Sequence, residues 1–263
     1  MNKIGLFEVW LGKIPDYFNY HLETIRYLPN VDFHFFTNDS DFDFSKISFK
    51  NFHLYILSEE DFIKRFNQVS QIKINEIKNP KKIIDFKLSY FDMFDSISKK
   101  YEHVGIYDID TLFGDIDKHL VEYQKEYDFI SVGDEVYHNR LSGPLLIIKN
   151  TTEIRELLRT ERYYETHGYG EQELSEIALS KYRTKIIYSM NTEIHNGGKT
   201  TFDVHWNGGK LSINGEEKLI YHFYKKNKTI FKKIGNQIFG RYDKKFLEDF
   251  YWVFGFTENY SET

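Results

Sequence analysis

The sequence predicts an α/β domain with a mixed, mostly parallel sheet flanked by helices and a C-terminal helical extension. Short apolar runs rich in β-branched and aromatic residues alternate with stretches of helical periodicity as far as residue 188. No linker, low-complexity tract or internal repeat divides the chain. With 263 residues, 41% of them hydrophobic, one large core is within reach. The expected division is a domain over 1–224 and a basic, aromatic extension over 225–263.

Each element follows from local pattern. Residues 3–10 read as a buried strand, and Gly12 and Pro15 punctuate the loop after it. Phe18, Leu22 and Ile25 recur at helical spacing before Pro29-Asn30 ends that helix. Residues 31–36 and 52–57 alternate with period two, and Ser58-Glu59-Glu60-Asp61 reads as a helix cap. A helix is expected over 83–99, leading into the strand 103–107. Strands follow at 127–132, 145–148 and 185–188, with helices at 152–163 and 171–180. A single alanine, Ala178, and 24 Phe with 20 Tyr mean that aromatic and branched side chains fill the core. That bias resembles an AT-rich bacterial genome more than a functional adaptation.

Composition excludes several chemistries. Without cysteine there are no disulfides, thiol nucleophiles, Cys-ligated zinc or iron–sulfur clusters. Glu8 interrupts what would be a signal-peptide core, and no run of about 18 apolar residues occurs, so a cytoplasmic protein is expected. A net charge of −5 argues against nucleic-acid binding. The charge is uneven: Lys225, Lys226, Lys228, Lys232, Lys233, Arg241, Lys244 and Lys245 face one acid, Asp243, over 225–245. Such an end suits either an anionic inner membrane surface or a helix docked on the sheet.

The most informative segment is His103-Val104-Gly105-Ile106-Tyr107-Asp108-Ile109-Asp110-Thr111-Leu112-Phe113-Gly114-Asp115-Ile116. In an open α/β sheet the ligand crevice lies beyond the carboxyl ends of the strands, where Asp108 and Asp110 fall. Two residues apart in extended backbone, their carboxylates share a side and repel unless a cation joins them. Mg²⁺ or Mn²⁺ prefers such oxygen ligands and keeps places for phosphate. As Asp-x-Asp the pair also admits a turn or helix-cap reading, and a phosphohydrolase of the haloacid dehalogenase type with Asp108 as nucleophile and Asp110 as acid/base. That class requires Thr or Val four residues after the nucleophile, where Leu112 stands here.

The segment 107–116 resembles the Tyr-Leu-Asp-x-Asp motif and following Asp-Ile of retaining GT-A fold glycosyltransferases related to bacterial lipopolysaccharide galactosyltransferases and glycogenin. Gly12-Lys13-Ile14-Pro15 and Asp85-Phe86-Lys87 are similar to segments of glycosyltransferase-like proteins from surface-polysaccharide loci. Ser142-Gly143-Pro144, Glu171-Gln172-Glu173-Leu174 and Tyr221-His222-Phe223 with Lys228 fall in the order that family requires. Leu141 stands where its Asn is usual, and Tyr224 where its Gly is usual.

The resemblance implies a GT-A, Rossmann-like fold and transfer of a hexose from a nucleotide-sugar donor, a UDP-sugar, to a glycan or lipid-linked glycan acceptor of capsule or lipopolysaccharide. It implies Asp108, Asp110 and His222 as ligands of Mn²⁺ or Mg²⁺, and Lys228 as neutraliser of the leaving diphosphate. Gln172 and Glu171 would face the reacting sugar. Asp134, at a strand end, is a candidate for sugar hydroxyls; Thr37 and Asp39 for base or ribose; Asp85 and Lys87 for ribose or phosphate. An inactive glycan-binding protein on the same fold is the remaining reading. Trp206 admits two roles, a platform for a sugar face or the anchor of a hairpin. His195, Asp203 and His205 lack a repeating metal-ligand spacing.

Overall fold

The computed structural model describes residues 3–70, 73–77, 80–134, 140–141, 144–159, 171–192, 201–223 and 229–243. In chain order the first half comprises β1 (Ile4–Trp10), α1 (Phe18–Ile25), β2 (Val31–Thr37), β3 (Phe52–Ile56) and α2 (Glu59–Val69). It continues with a 3₁₀ helix (Pro80–Ser89), α3 (Tyr90–Met93), α4 (Asp95–Ser98), β4 (His103–Tyr107), β5 (Thr111–Phe113) and α5 (Asp117–Tyr123). The second half holds β6 (Phe129–Asp134), β7 (Leu145–Lys149), α6 (Thr152–Leu158), α7 (Glu171–Lys181) and β8 (Thr184–Thr192). It ends with β9 (Thr201–Asn207), β10 (Lys210–Ile213), β11 (Glu216–Lys218), β12 (Ile220–His222), β13 (Thr229–Ile234) and β14 (Gln237–Asp243).

The main sheet runs β3-β2-β1-β4-β7-β6-β8-β12-β5. Its pairs are parallel except where β7 joins β4 and β6, and where β5 joins β12. Helices cover both faces, which is why β1, β2 and β4 are buried along nearly their whole length. One core, with Leu6, Phe18, Leu22, Phe33 and Ile147, lies under α1 and α5. The other, with Phe7, Phe62, Phe66, Phe91 and Ile148, lies under α2, α3, α6 and α7. Gly105 permits the close approach of β4 to β7, since a Cβ there would meet the Leu146 carbonyl oxygen at 2.5 Å. The Ser58 cap is present, its hydroxyl accepting the Asp61 N–H at 3.0 Å.

Two expectations are corrected. The single helix over 83–99 is a 3₁₀ segment and two short α-helices, broken at Phe94 (φ −115°, ψ 38°). The 3₁₀ segment carries a buried cation, Lys87, toward the strand ends, an arrangement typical of functional irregularities in helices. The helical extension does not hold for residues 229–243, which form a β-hairpin in a second sheet, β11-β10-β9-β14-β13. That sheet covers α1: Tyr20 donates to the Phe231 carbonyl at 3.2 Å, and Lys233 pairs with Glu23. Trp206 is its anchor. It is fully buried, donates from Nε1 to the Phe113 carbonyl at 2.8 Å, and so cannot serve as a sugar platform.

Burial lowers the pKa of the interior histidines His21, His34 and His103 and so ties the fold to pH, with His21 and His34 shifted the most. His21 lies under β5 with Nδ1 2.9 Å from the Thr111 carbonyl oxygen, and burial pulls its pKa down to about 4. His34 lies between the hydroxyls of Tyr55 and Tyr101, and burial, followed by repulsion from His53, pulls it down to about 3. Both are neutral when folded and protonated when unfolded below pH 6.5. The unfolded state therefore gains protons as pH falls, and stability is full above 6.5 and drops by about 1.4 kcal/mol per pH unit for each histidine until the folded values are reached. Urea midpoints at pH 7 and pH 5 check this; equal midpoints contradict it.

Candidate metal centre

The strand β4 delivers Asp108 to the carboxyl end of the main sheet. Residues 108–110 are not extended but form a turn between β4 and β5, closed by the Thr111 hydroxyl donating to the Asp108 carbonyl at 2.6 Å. The Asp108 N–H donates to the Pro144 carbonyl at 3.2 Å, tying the turn to β7. His222 arrives from more than a hundred residues away because β12 pairs with β5 in a register that sets His222 opposite Thr111. The Phe223 N–H then donates to the Asp110 carbonyl at 3.0 Å. Backbone pairing alone thus brings the histidine beside the Asp-x-Asp turn.

His222 Nε2 lies 3.3 Å from Asp110 Oδ1 and 3.5 Å from Asp108 Oδ2. One ligand atom from each residue falls within a mutual spread of 4.8 Å. Asp110 is 2% exposed, and its buried Oδ1 faces His222 Nε2 with no well-aligned hydrogen-bond donor among the described residues. Burial pulls the His222 pKa down, but Asp110 and then Asp108 push it up, and the net direction is upward. The acidic pair draws positive charge onto Nε2.

Lys87 and Glu8 complete the cluster. Lys87 Nζ lies 2.9 Å from Glu8 Oε2, pairs with Asp108 Oδ1 and donates to the Tyr107 carbonyl at 3.0 Å. Burial pulls its pKa down, yet Asp108 and Glu8 outweigh that and hold it charged. Among the described residues, three carboxylates (Glu8, Asp108, Asp110) face one ammonium and one imidazole in a largely buried setting. Carboxylates held this close together favour a cation among them. Two carboxylates and an imidazole whose ligand atoms lie this close together are a donor set that fits Mn²⁺ or Mg²⁺. Tyr17 stands nearby as a neutral phenol: burial, then Asp110, Asp108 and Glu8, push its pKa up.

The other sequence candidates are distributed as follows. Thr37 is buried at the end of β2, and its hydroxyl accepts the Asp39 N–H at 3.1 Å. Asp39 accepts the N–H groups of Ile14 at 2.7 Å and Asp41 at 3.1 Å, bracing the loop after β1. Asn38 and Asp39 line a cleft of about 1200 Å³ with Gly12, Lys13, Asp16 and Phe42; Asp108, Asp110 and His222 are not among its lining residues. Asp85, Asp134, Glu171 and Gln172 occupy described backbone, but their side chains lie outside the described residues. Lys228 and His195 also lie outside them. Asp203 and His205 belong to β9, where His205 Nε2 lies 3.0 Å from Gln237 Oε1, and neither joins a candidate metal cluster among the described residues.

Sequence reasoning missed Glu8 and Tyr17 as site residues. A lone acid inside an otherwise apolar buried strand is the signal that could have found Glu8. Tyr17 carried none, since an aromatic at the start of an amphipathic helix reads as core.

The nine-stranded mixed sheet, with the acidic turn at the end of β4, defines a GT-A-like Rossmann fold. The chain belongs to the family described as "Family of unknown function (DUF6625)", whose model matches residues 6–247. No curated protein matches the sequence. Among solved structures, the chain is similar to the crystal structure of mouse xyloside xylosyltransferase 1 in its apo form. The TM-score is 0.51 at 11% identity, over 88% of this chain and 100% of the other.

Proposed function

We propose that the protein is a metal-dependent glycosyltransferase that moves a sugar from a nucleoside-diphosphate donor, a UDP-sugar, to a glycan acceptor of the bacterial surface. One observation carries this reading: Asp108, Asp110 and His222 meet at the carboxyl end of the sheet, with a ligand atom from each within a spread of 4.8 Å. The GT-A-like fold and the xylosyltransferase likeness support it. These three residues would hold Mn²⁺ or Mg²⁺, which when bound neutralises diphosphate charge.

The chain's own residues supply the remainder. Lys87 stays charged beside Asp108 and limits the repulsion an incoming diphosphate meets. Lys228, six residues beyond His222, is assigned the leaving phosphate. Gln172 and Glu171, opening α7, and Asp134, closing β6, are assigned the sugar, with retention of its configuration. Thr37, Asp39 and Asp85 are assigned base and ribose. Among the described residues no helix is long and apolar enough to span a membrane. Contact with an inner membrane surface through the basic residues after 224 belongs to the same proposal.

The test is a thermal-shift panel with UDP, GDP, CDP and phosphate, each with and without Mn²⁺, followed by a screen of sugar nucleotides for release of the diphosphate. Stabilisation by one diphosphate only with metal is the expected result. Hydrolysis of simple phosphate esters without nucleotide preference overturns it.

A further inference from the structure

We propose that Glu8 is a positioning residue for the metal centre: it holds the Lys87 ammonium and cancels its charge, so that Asp108, Asp110 and His222 keep their affinity for a divalent cation. The inference rests on the metal-dependent reading above and goes beyond it to a residue that is not itself a ligand.

Glu8 is the one charged side chain of β1 and is 4% exposed. An acid in a strand covered on both faces is strongly destabilising unless an opposite charge meets it. Lys87, 5% exposed, is that charge, 2.9 Å away. The ammonium donates to Asp108 Oδ1 and to the Tyr107 carbonyl, and it stands in ionic contact with Glu8 Oε2.

The arrangement divides Asp108 between two cations. Its Oδ1 faces Lys87, while its Oδ2 faces His222 and the candidate metal position. An ammonium one carboxylate away from a divalent ion repels it, and in a site this dry the repulsion is weakly screened. Glu8 answers that charge from the far side. Remove the carboxylate and, among the described residues, Lys87 keeps Asp108 as its ionic partner, so that more of its positive charge bears on the metal ligands.

The probe is Mn²⁺ alone, titrated against the intact protein and followed by the loss of the free-ion electron paramagnetic resonance signal. Glu8→Gln is expected to weaken Mn²⁺ binding by about tenfold or more, as is common for residues that support metal ligands. Adding Lys87→Met to Glu8→Gln is expected to restore most of the lost affinity, because the repelling charge leaves with its partner. A packing role for Glu8 predicts the reverse, since the double variant loses more contacts than the single one. Lys87→Met alone is expected to bind Mn²⁺ at least as tightly as the wild type, and the double variant, which leaves neither charge buried alone, is expected to bind near the wild-type level and keeps the test decisive if a single variant does not fold. Wild-type affinity in Glu8→Gln, no recovery in the double variant, or weaker binding in Lys87→Met each overturns the proposal. Absence of Mn²⁺ uptake by the wild-type chain instead overturns the metal centre, and this inference with it.

Discussion

Asp110→Asn is expected to abolish the Mn²⁺-dependent stabilisation by nucleoside diphosphate and to lower sugar transfer by about 10²–10³-fold, the usual loss when one electrostatic stabiliser of a transition state is removed. The substitution keeps the shape of the side chain, so packing around this buried position survives. It removes the charge on the buried carboxylate whose Oδ1 faces His222 Nε2 at 3.3 Å. In the absence of metal the variant should be no less stable than the wild type, because one of three clustered carboxylates has been neutralised. The two readings have opposite signs: the metal-induced shift disappears while the metal-free melting temperature holds or rises. A variant that melts lower without metal yet keeps the full Mn²⁺ shift would show that Asp110 supports the fold and not an ion.

How far the site was legible follows from how it is assembled. Asp108 and Asp110 were readable because they stand two residues apart at the end of an apolar, fully buried strand, where polar groups begin. The shared direction of their carboxylates is set by a turn closed by Thr111, which extended-strand reasoning did not anticipate. His222 came from motif order, since no local pattern distinguishes a metal-facing histidine from the buried His21 or His34. Its place depends on the pairing of β12 with β5, a contact between segments over a hundred residues apart. Such pairings are non-local, and composition and periodicity carry no register for them.

The fold divides in the same way. The first sheet was readable because its strands are buried on both sides and separated by helical periodicity. The second sheet was not, because β10 and β11 are only four and three residues long and offer too few positions for an alternation to register. In the stretch over 229–243 the apolar residues Ile230, Phe231, Ile234, Ile238 and Phe239 fit helical spacing as readily as a hairpin. The turn at Gly235, with φ +58°, decides for the hairpin.

Trp206→Ala should be the most destabilising single substitution outside the acidic turn, costing about 3–5 kcal/mol. The indole is fully buried, meets Tyr27 edge-on at 5.1 Å between centroids, and packs in the same core as Leu211 and Ile238. Its N–H donates to the Phe113 carbonyl, in the strand that begins one residue after Asp110. Truncation opens a cavity between the second sheet and α1 and strips β5 of a donor. Trp206→Phe separates the two contributions: most of the packing is kept, the hydrogen bond is lost, and a cost of about 1–3 kcal/mol is expected for the buried carbonyl left without its partner. Urea unfolding of both variants measures this. Because β5 aligns His222 with Asp110 through its pairing with β12, Trp206→Ala should also weaken Mn²⁺ binding under conditions where the protein remains folded. If the large stability loss leaves Mn²⁺ affinity untouched, the second sheet braces the core without setting the geometry of the site.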